Sequence, residues 1–266
     1  MKNKTAIVTG ASSGIGRALA ILLAKRGYAI CIVGRKGSLL QETVDQIQME
    51  GGKAVPILAD VRLLEETNKV VLKTVEQFGS IDLLINNAGI GHYHLFSEMP
   101  PEAYEEVIGT NFIGVLHMTH AVLPYFQRQR SGSIINIAST GAIAGVPGRS
   151  IYCATKAAIR NWSRALSMEL QPEKIQVLCV LPGSTETRFY ENLLGKPPTH
   201  HGNPGKVMSP PEVAEKTLRA LEEGRLELIL TTVGNILEWM NRVSPRTVDR
   251  LINWQNNRQL ASEQIS

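Results

Sequence analysis

The sequence predicts an α/β protein built on one doubly wound parallel sheet with helices on both faces. Three observations carry that prediction. Short continuous apolar runs alternate with longer helical patterns almost from end to end, as expected of strands buried on both faces and joined by crossover helices. A glycine turn separates the first apolar run from the first helical pattern. The length of 266 residues, 43% of them hydrophobic, suits one such sheet with a sizeable core. No repeat, low-complexity tract or linker divides the chain. Residues 1–266 are therefore expected to form a single domain, with a helical extension from about residue 231.

The first strand is expected at residues 5–9, entered directly from Met1-Lys2-Asn3-Lys4. That arrangement leaves no room for the apolar region and cleavage site of a signal peptide. Further strands are expected at 29–33, 54–58, 83–86, 133–137, 176–181 and 227–230. Helices are expected at 17–26, 39–50 and 65–78, and at roughly 102–128 and 150–170. Residues 193–209 are the least regular stretch, with Pro197, Pro198, Gly202, Pro204 and Gly205. Lying after a strand end, this stretch reads as a lid. It stops at Ser209-Pro210-Pro211-Glu212, a capping box with proline at the first helical position, which opens a helix to residue 223.

Beyond residue 231, Val233, Ile236, Leu237, Met240 and Val243 share a helix face. Ser244-Pro245 interrupts it, and Val248, Leu251 and Ile252 resume a shorter one. The favoured reading is that this tail packs over the domain, caps a pocket or meets another subunit. Trp239 and Trp254 among arginines also permit peripheral contact with a membrane surface.

The formal net charge of +4 is spread along the chain. No basic block points to nucleic acid, and no apolar run appears long enough to span a bilayer. Cys31, Cys153 and Cys179 are odd in number and lack metal-type spacing. They are read as reduced thiols of a cytoplasmic protein. His92 and His94, His117 and His120, and His200-His201 form pairs, but no cysteine or carboxylate set completes a metal site around them.

Two motifs carry chemistry. Thr9-Gly10-Ala11-Ser12-Ser13-Gly14-Ile15-Gly16 joins a strand to a helix, where the backbone can approach a pyrophosphate and the helix N-terminus offers free N–H groups. Tyr152 and Lys156 are four apart on a helical pattern, so they project from one face. An ammonium beside a phenol favours the phenolate and lowers a pKa that starts near about 10. The phenol can then exchange a proton with a carbonyl or alcohol oxygen. Ser139 ends the strand before them, placed to donate a hydrogen bond to that same oxygen.

The spacing Gly10-x-x-x-Gly14-x-Gly16 resembles the cofactor motif of the short-chain dehydrogenase/reductase family. Other signatures of that family follow in order: Asp60-Val61, Asn86-Asn87-Ala88-Gly89, Asn111, Ser139, Tyr152 with Lys156, and Pro182-Gly183 leading to Thr187. The resemblance spans residues 4 to about 230. It implies a Rossmann-like fold, a nicotinamide cofactor and a small-molecule ketone, aldehyde or alcohol substrate. It further implies that Ser12, Ser13 and Ile15 line the cofactor turn, that Asp60 holds the adenine and Val61 packs on it, and that Asn87, Ala88 and Gly89 lie along the cofactor. Pro182, Gly183 and Thr187 would position the nicotinamide. Asn111 would hold a water linking Lys156 to solvent, and Lys156 would grip the ribose. A homodimer or homotetramer, paired through the helices carrying Asn111 and Tyr152, is also implied.

The second strand ends Val33-Gly34-Arg35-Lys36, without the carboxylate that would accept the ribose hydroxyls of NAD. Arg35 instead offers a planar fork suited to a phosphate, with Ser12 near. NADPH/NADP+ is therefore expected in preference to NADH/NAD+. The expected pocket residues, Thr140, Gly141, Ile143, Val146, Pro147, Ser184, Phe189 and Tyr190, are mostly apolar, and His92 and His94 are expected nearby. The reading is an NADPH-dependent carbonyl reductase. Its rivals are an NAD-dependent alcohol or hydroxysteroid dehydrogenase and a non-catalytic NADPH-sensing regulator.

Overall fold

The computed structural model describes residues 4–189, 193–195 and 207–263, with side chains described as far as residue 257. Its centre is a sheet of seven parallel strands. They are β1 (Thr5–Thr9), β2 (Ala29–Gly34), β3 (Lys53–Leu58), β4 (Leu83–Asn86), β5 (Gly132–Ile137), β6 (Ile175–Leu181) and β7 (Glu227–Ile229). Their spatial order is β3-β2-β1-β4-β5-β6-β7. The order reverses between β1 and β4, and a crevice opens there at the carboxyl ends of the strands. Every expected strand is present, with its ends moved by at most one residue.

Side chains alternate across each strand and build two cores. Ala6 and Val8 of β1 point to the layer holding α1 (Gly14–Lys25), α2 (Gly37–Met49) and α7 (Pro210–Glu222), where Leu19, Leu23, Val44, Val213 and Leu218 are buried. Ile7, Cys31 and Val33 point the other way. There they meet α3 (Leu64–Phe78), α5 (Gly114–Gln129) and α6 (Ser150–Leu170) through Val70, Met118, Val122, Phe126 and Leu166. The serine half of the capping box forms, with Ser209 Oγ accepting from the Glu212 N–H at 3.3 Å. Helix α1 begins three residues earlier than the periodicity indicated, because its first turn is built from the glycines of the cofactor motif.

Helix α4 (Pro101–Ile108) runs into α5 through a π-helical turn, Gly109–Ile113, that contains Asn111. The stretch Pro101–Gln129 is long and apolar enough to cross a membrane by length and composition, contrary to the reading of the sequence. Half of its most apolar window is buried inside the protein, where it covers the sheet. The apolar residues of the two helices expected to pair subunits are mostly spent in this same core. Val115, Met118, Val122, Ile159 and Leu166 are buried, while Met168 is exposed.

The tail forms α8 (Thr232–Val243) and α9 (Pro245–Glu263). Leu237 packs on the core cluster around Val115, Ile143 and Leu181. The Asn241 side-chain N–H donates to the Ile143 carbonyl at 2.8 Å. Arg160 of α6 forks onto Glu227 of β7 (2.7 and 2.8 Å) and reaches Glu238 of α8 (2.7 Å). Of the expected lid, residues 196–206, with His200 and His201, lie outside the described residues, as does Tyr190.

Candidate active site

The site grows from the turn between β1 and α1. Gly10 has φ +63°, and a Cβ there would stand 2.8 Å from the Ala88 backbone, so only glycine lets the two strand ends meet. A Cβ on Gly16 would strike the Asn87 side-chain amide and the Gly10 carbonyl. That amide donates to the Thr9 and Gly10 carbonyls, each at 3.0 Å. Thr9 Oγ1 accepts from the Asn87 and Ala88 N–H groups, also at 3.0 Å. The ends of β1 and β4 are thus braced together. Ser13, the N-cap of α1, makes no side-chain capping bond, which leaves the first-turn N–H groups to a ligand.

From this turn a cleft of about 570 Å3 runs across the carboxyl ends of the strands. Gly10, Ser12, Ser13, Gly14, Ile15, Arg35, Asp60 and Val61 line one end. Asn87, Ala88 and Gly89 line the middle, and Ser139, Tyr152, Lys156, Pro182, Gly183 and Thr187 the other end. Gly16 and Asn111 stand behind the wall. The closely fitted glycines and the uncapped helix fit a dinucleotide, with its phosphates at α1.

At the far end, Lys156 Nζ lies 5.7 Å from the centre of the Tyr152 ring, as their helical spacing requires. The ammonium is buried and donates to the Ile137 carbonyl at 2.9 Å. Burial pulls its pKa down to about 8. Ser139 Oγ accepts the Gly141 N–H at 3.1 Å, which leaves its own proton to donate. A Cβ built on Gly141 would lie 3.5 Å from both Ser139 Oγ and Tyr152 Cε1, so the two side chains flank one spot. Asn111 is fully buried in the π-helical turn. Its amide clamps the Ile90 backbone in both directions, accepting the N–H at 2.8 Å and donating to the carbonyl at 2.9 Å.

A nucleotide cradle and a tyrosine–lysine–serine cluster thus share one cleft on one parallel sheet, and the short chain dehydrogenase family pattern matches residues 4–196. The chain belongs to the short-chain dehydrogenase/reductase family. It is accordingly an oxidoreductase. Its similarity to the 3-oxoacyl-(acyl-carrier-protein) reductase FabG of Staphylococcus epidermidis is 39% identity over 183 residues, 68% of this chain and 75% of the relative. The alcohol dehydrogenase of the archaeon Thermococcus sibiricus, solved with 5-hydroxy-NADP, superposes with a TM-score of 0.75 at 30% identity, covering 87% of this chain and 97% of that one. The 3-ketoacyl-(acyl-carrier-protein) reductase of Brucella melitensis, solved with NADH, gives 0.77 at 29% identity, covering 86% and 97%.

Within this short-chain dehydrogenase/reductase, the end of the cleft beyond Val61 is more charged than the motifs implied. Arg35 Nη1 lies 3.3 Å from Glu106 Oε1 of α4. Arg62 holds the Asp60 carboxylate through its Nε, its Nη2 at 2.6 Å and its backbone N–H at 3.0 Å. The Arg62 bonds keep the Asp60 carboxyl below the usual range. Neither Arg62 nor Glu106 was singled out from sequence, since each becomes informative only when folding brings α4 beside β2.

The pocket wall also departs from expectation. Thr140, Gly141, Val146, Ser184 and Phe189 line the cleft, joined by Tyr93, Ala144, Leu237, Ile252, Gln255 and Asn256. Ile143 is instead buried beneath Leu237 in the core, and Pro147 is not among the lining residues. The alternation of the short segment His92–Tyr93 turns Tyr93 into the cleft and His92 away from it. His92 is 1% exposed, and its Nε2 accepts the Tyr152 backbone N–H at 3.0 Å.

Proposed function

We propose that this chain reduces hydrophobic ketones or aldehydes with NADPH. The observation that carries the reading is the continuity of the cleft from Arg35 to Tyr152, with phosphate-type donors at one end and a proton donor at the other. Bound at the glycine turn, the nicotinamide supplies the hydride. Gly10, Ser12, Ser13, Gly14 and Ile15 would hold the phosphates, with Gly16 packed behind them, Arg35 the 2′-phosphate, and Asp60 and Val61 the adenine. Asn87, Ala88 and Gly89 would lie along the cofactor, while Pro182, Gly183 and Thr187 would position the nicotinamide.

The protein's own residues manage the oxygen and the proton. Ser139 donates a hydrogen bond to the carbonyl oxygen. Tyr152 gives that oxygen its proton, helped by the charge of Lys156, and takes it back in the reverse direction. Asn111 fixes the Ile90 backbone beside them. The polar groups converge on one spot while Val146, Phe189, Leu237 and Ile252 form an apolar wall, which favours a hydrophobic carbonyl compound over a small polar one.

For the whole molecule the reading is a cytoplasmic homodimer or homotetramer, supported by the family and by three buried free cysteines. Trp239 and Trp254 are exposed on α8 and α9 and would serve any peripheral membrane contact. The deciding experiment is a fluorescence titration with NADPH and with NADH, repeated on Arg35→Ala. NADPH is expected to bind more tightly, and the substitution to weaken it about 10- to 100-fold, the worth of a charge-assisted bond to phosphate. Equal or tighter NADH binding would replace this reading with an NAD-dependent alcohol or hydroxysteroid dehydrogenase. Binding without turnover of any carbonyl would favour a regulatory NADPH sensor.

A further inference from the structure

We propose that His92 is a positioning residue for Tyr152: a neutral imidazole that caps α6 from outside the helix and holds the phenol in register with Ser139 and Lys156. The proposal rests on Tyr152 being the proton donor.

The first N–H groups of any helix have no acceptor within it. In α6 the N-cap is Arg149, which makes no side-chain capping bond. Tyr152 is the third residue of that helix, so its N–H is one of the orphans. His92 Nε2 supplies the acceptor at 3.0 Å from sixty positions away. The residue that caps α6 thereby also fixes the backbone of the reactive tyrosine.

Acceptance at Nε2 requires that nitrogen to be unprotonated, so in the neutral ring the proton sits on Nδ1. Nδ1 is buried and has no hydrogen-bond partner among the described residues. A residue kept only for packing would not carry that penalty, since leucine or phenylalanine would fill the space without it. The surroundings also keep the ring neutral. The groups facing it are Arg149 in the turn before α6, His94 on its own segment at a ring separation of 6.4 Å, and the positive end of α6. Burial, then His94 and Arg149, push its pKa down to about 4.

His92 is anchored in turn. His92 and Tyr93 pair with Leu194 and Gly195 as a two-stranded parallel ribbon, whose second strand contributes no titratable group. The Leu194 N–H donates to the Gly91 carbonyl at 3.1 Å, and the His94 N–H to the Gly148 carbonyl at 2.9 Å. Hydrogen bonds thus tie the loop after β4 to the start of α6 and to Leu194–Gly195. Through His92 the backbone of Tyr152 is tied to the pairing of His92–Tyr93 with Leu194–Gly195.

The test compares His92→Leu, which removes the acceptor, with His92→Gln, whose Oε1 can accept the same N–H. NADPH affinity, read by fluorescence, reports that each variant is folded. Phenolate formation is followed by ultraviolet difference absorbance against Tyr152→Phe with NADP+ bound. Turnover is followed with NADPH and an aliphatic β-keto ester. His92→Leu is expected to bind NADPH normally, raise the apparent Tyr152 pKa by about one unit and lower kcat about 10- to 100-fold with little change in KM. His92→Gln is expected to recover most of both losses.

Wild-type values in His92→Leu, or equal losses in the leucine and glutamine variants, would overturn the proposal. So would loss of NADPH binding in both His92→Leu and the ring-shaped His92→Phe while His92→Gln binds, since the bond would then serve the fold. A wild-type protein that reduces no carbonyl would sink the reading of Tyr152 as proton donor, whereas the phenol titration would still decide whether His92 sets its pKa.

Discussion

Lys156 shows how a residue suited to chemistry works against the stability of the fold. Lys156 is 4% exposed, and its ammonium donates to the Ile137 carbonyl. Burial lowers its pKa from an ordinary 10.5 to about 8. Between pH 8 and 10.5 the unfolded chain holds a proton that the folded one has released, so stability rises with pH across that window. At pH 7 both states are protonated, and the full cost of burying the charge is present. Replacing Lys156 by Met removes that cost and sacrifices one hydrogen bond. Lys156→Met is therefore expected to raise the nucleotide-free stability at pH 7 by about 1–3 kcal/mol. Turnover is expected to fall at least about 100-fold. Denaturant unfolding beside a steady-state assay checks both. A variant less stable than wild type would mean that Lys156 is already satisfied without a cofactor. Tyr152→Phe is the contrast, losing turnover with little change in stability.

At the scale of elements, α6 is held at its start and at its middle. His92 holds the start of α6, and Arg160 holds its middle to the last strand and the first tail helix. The Arg160 side chain is 19% exposed and Glu238 16%, so the ion pair is largely shielded from solvent. Arg160→Ala leaves two carboxylates without their fork. It is expected to cost about 2 kcal/mol, a fall in Tm of roughly 4–8 °C, with NADPH affinity unchanged. Thermal denaturation and the same titration test this; a Tm within 1 °C of wild type would make the cluster a surface decoration.

The strands, the glycine turn and the tyrosine–lysine pair were legible in sequence because each depends on neighbours a few positions away: alternation, a strand–turn–helix order, a spacing of four. Arg160, Glu106 and His92 were not legible. Glu227 and Glu238 stand 67 and 78 positions from Arg160, and His92 stands 60 from Tyr152. Local periodicity carries no trace of such pairings. His92 and His94 looked alike in sequence, and only the burial of His92 and its bond from the Tyr152 N–H tell them apart.

Across the whole molecule the cleft is assembled from opposite ends of the chain. The glycine turn comes from its first residues, while Leu237, Ile252, Gln255 and Asn256 line the cleft from the tail. Val248 is fully buried, so it fixes α9 in place and leaves Ile252, one turn on, to meet the occupant of the cleft. On the proposed reading, mutations in the nucleotide half and in the carbonyl half should have separable effects. Ile252→Ala removes three carbons from a half-buried side chain. At about 0.8 kcal/mol per fully buried carbon, the loss on binding a hydrophobic carbonyl is about 1 kcal/mol. KM for an aliphatic ketone should rise about fivefold, with the NADPH dissociation constant unchanged within about twofold. The effect should grow along a series of longer ketones, because only those reach α9. A KM that stays flat across the series would detach the tail from substrate binding and leave α9 as a brace for the fold.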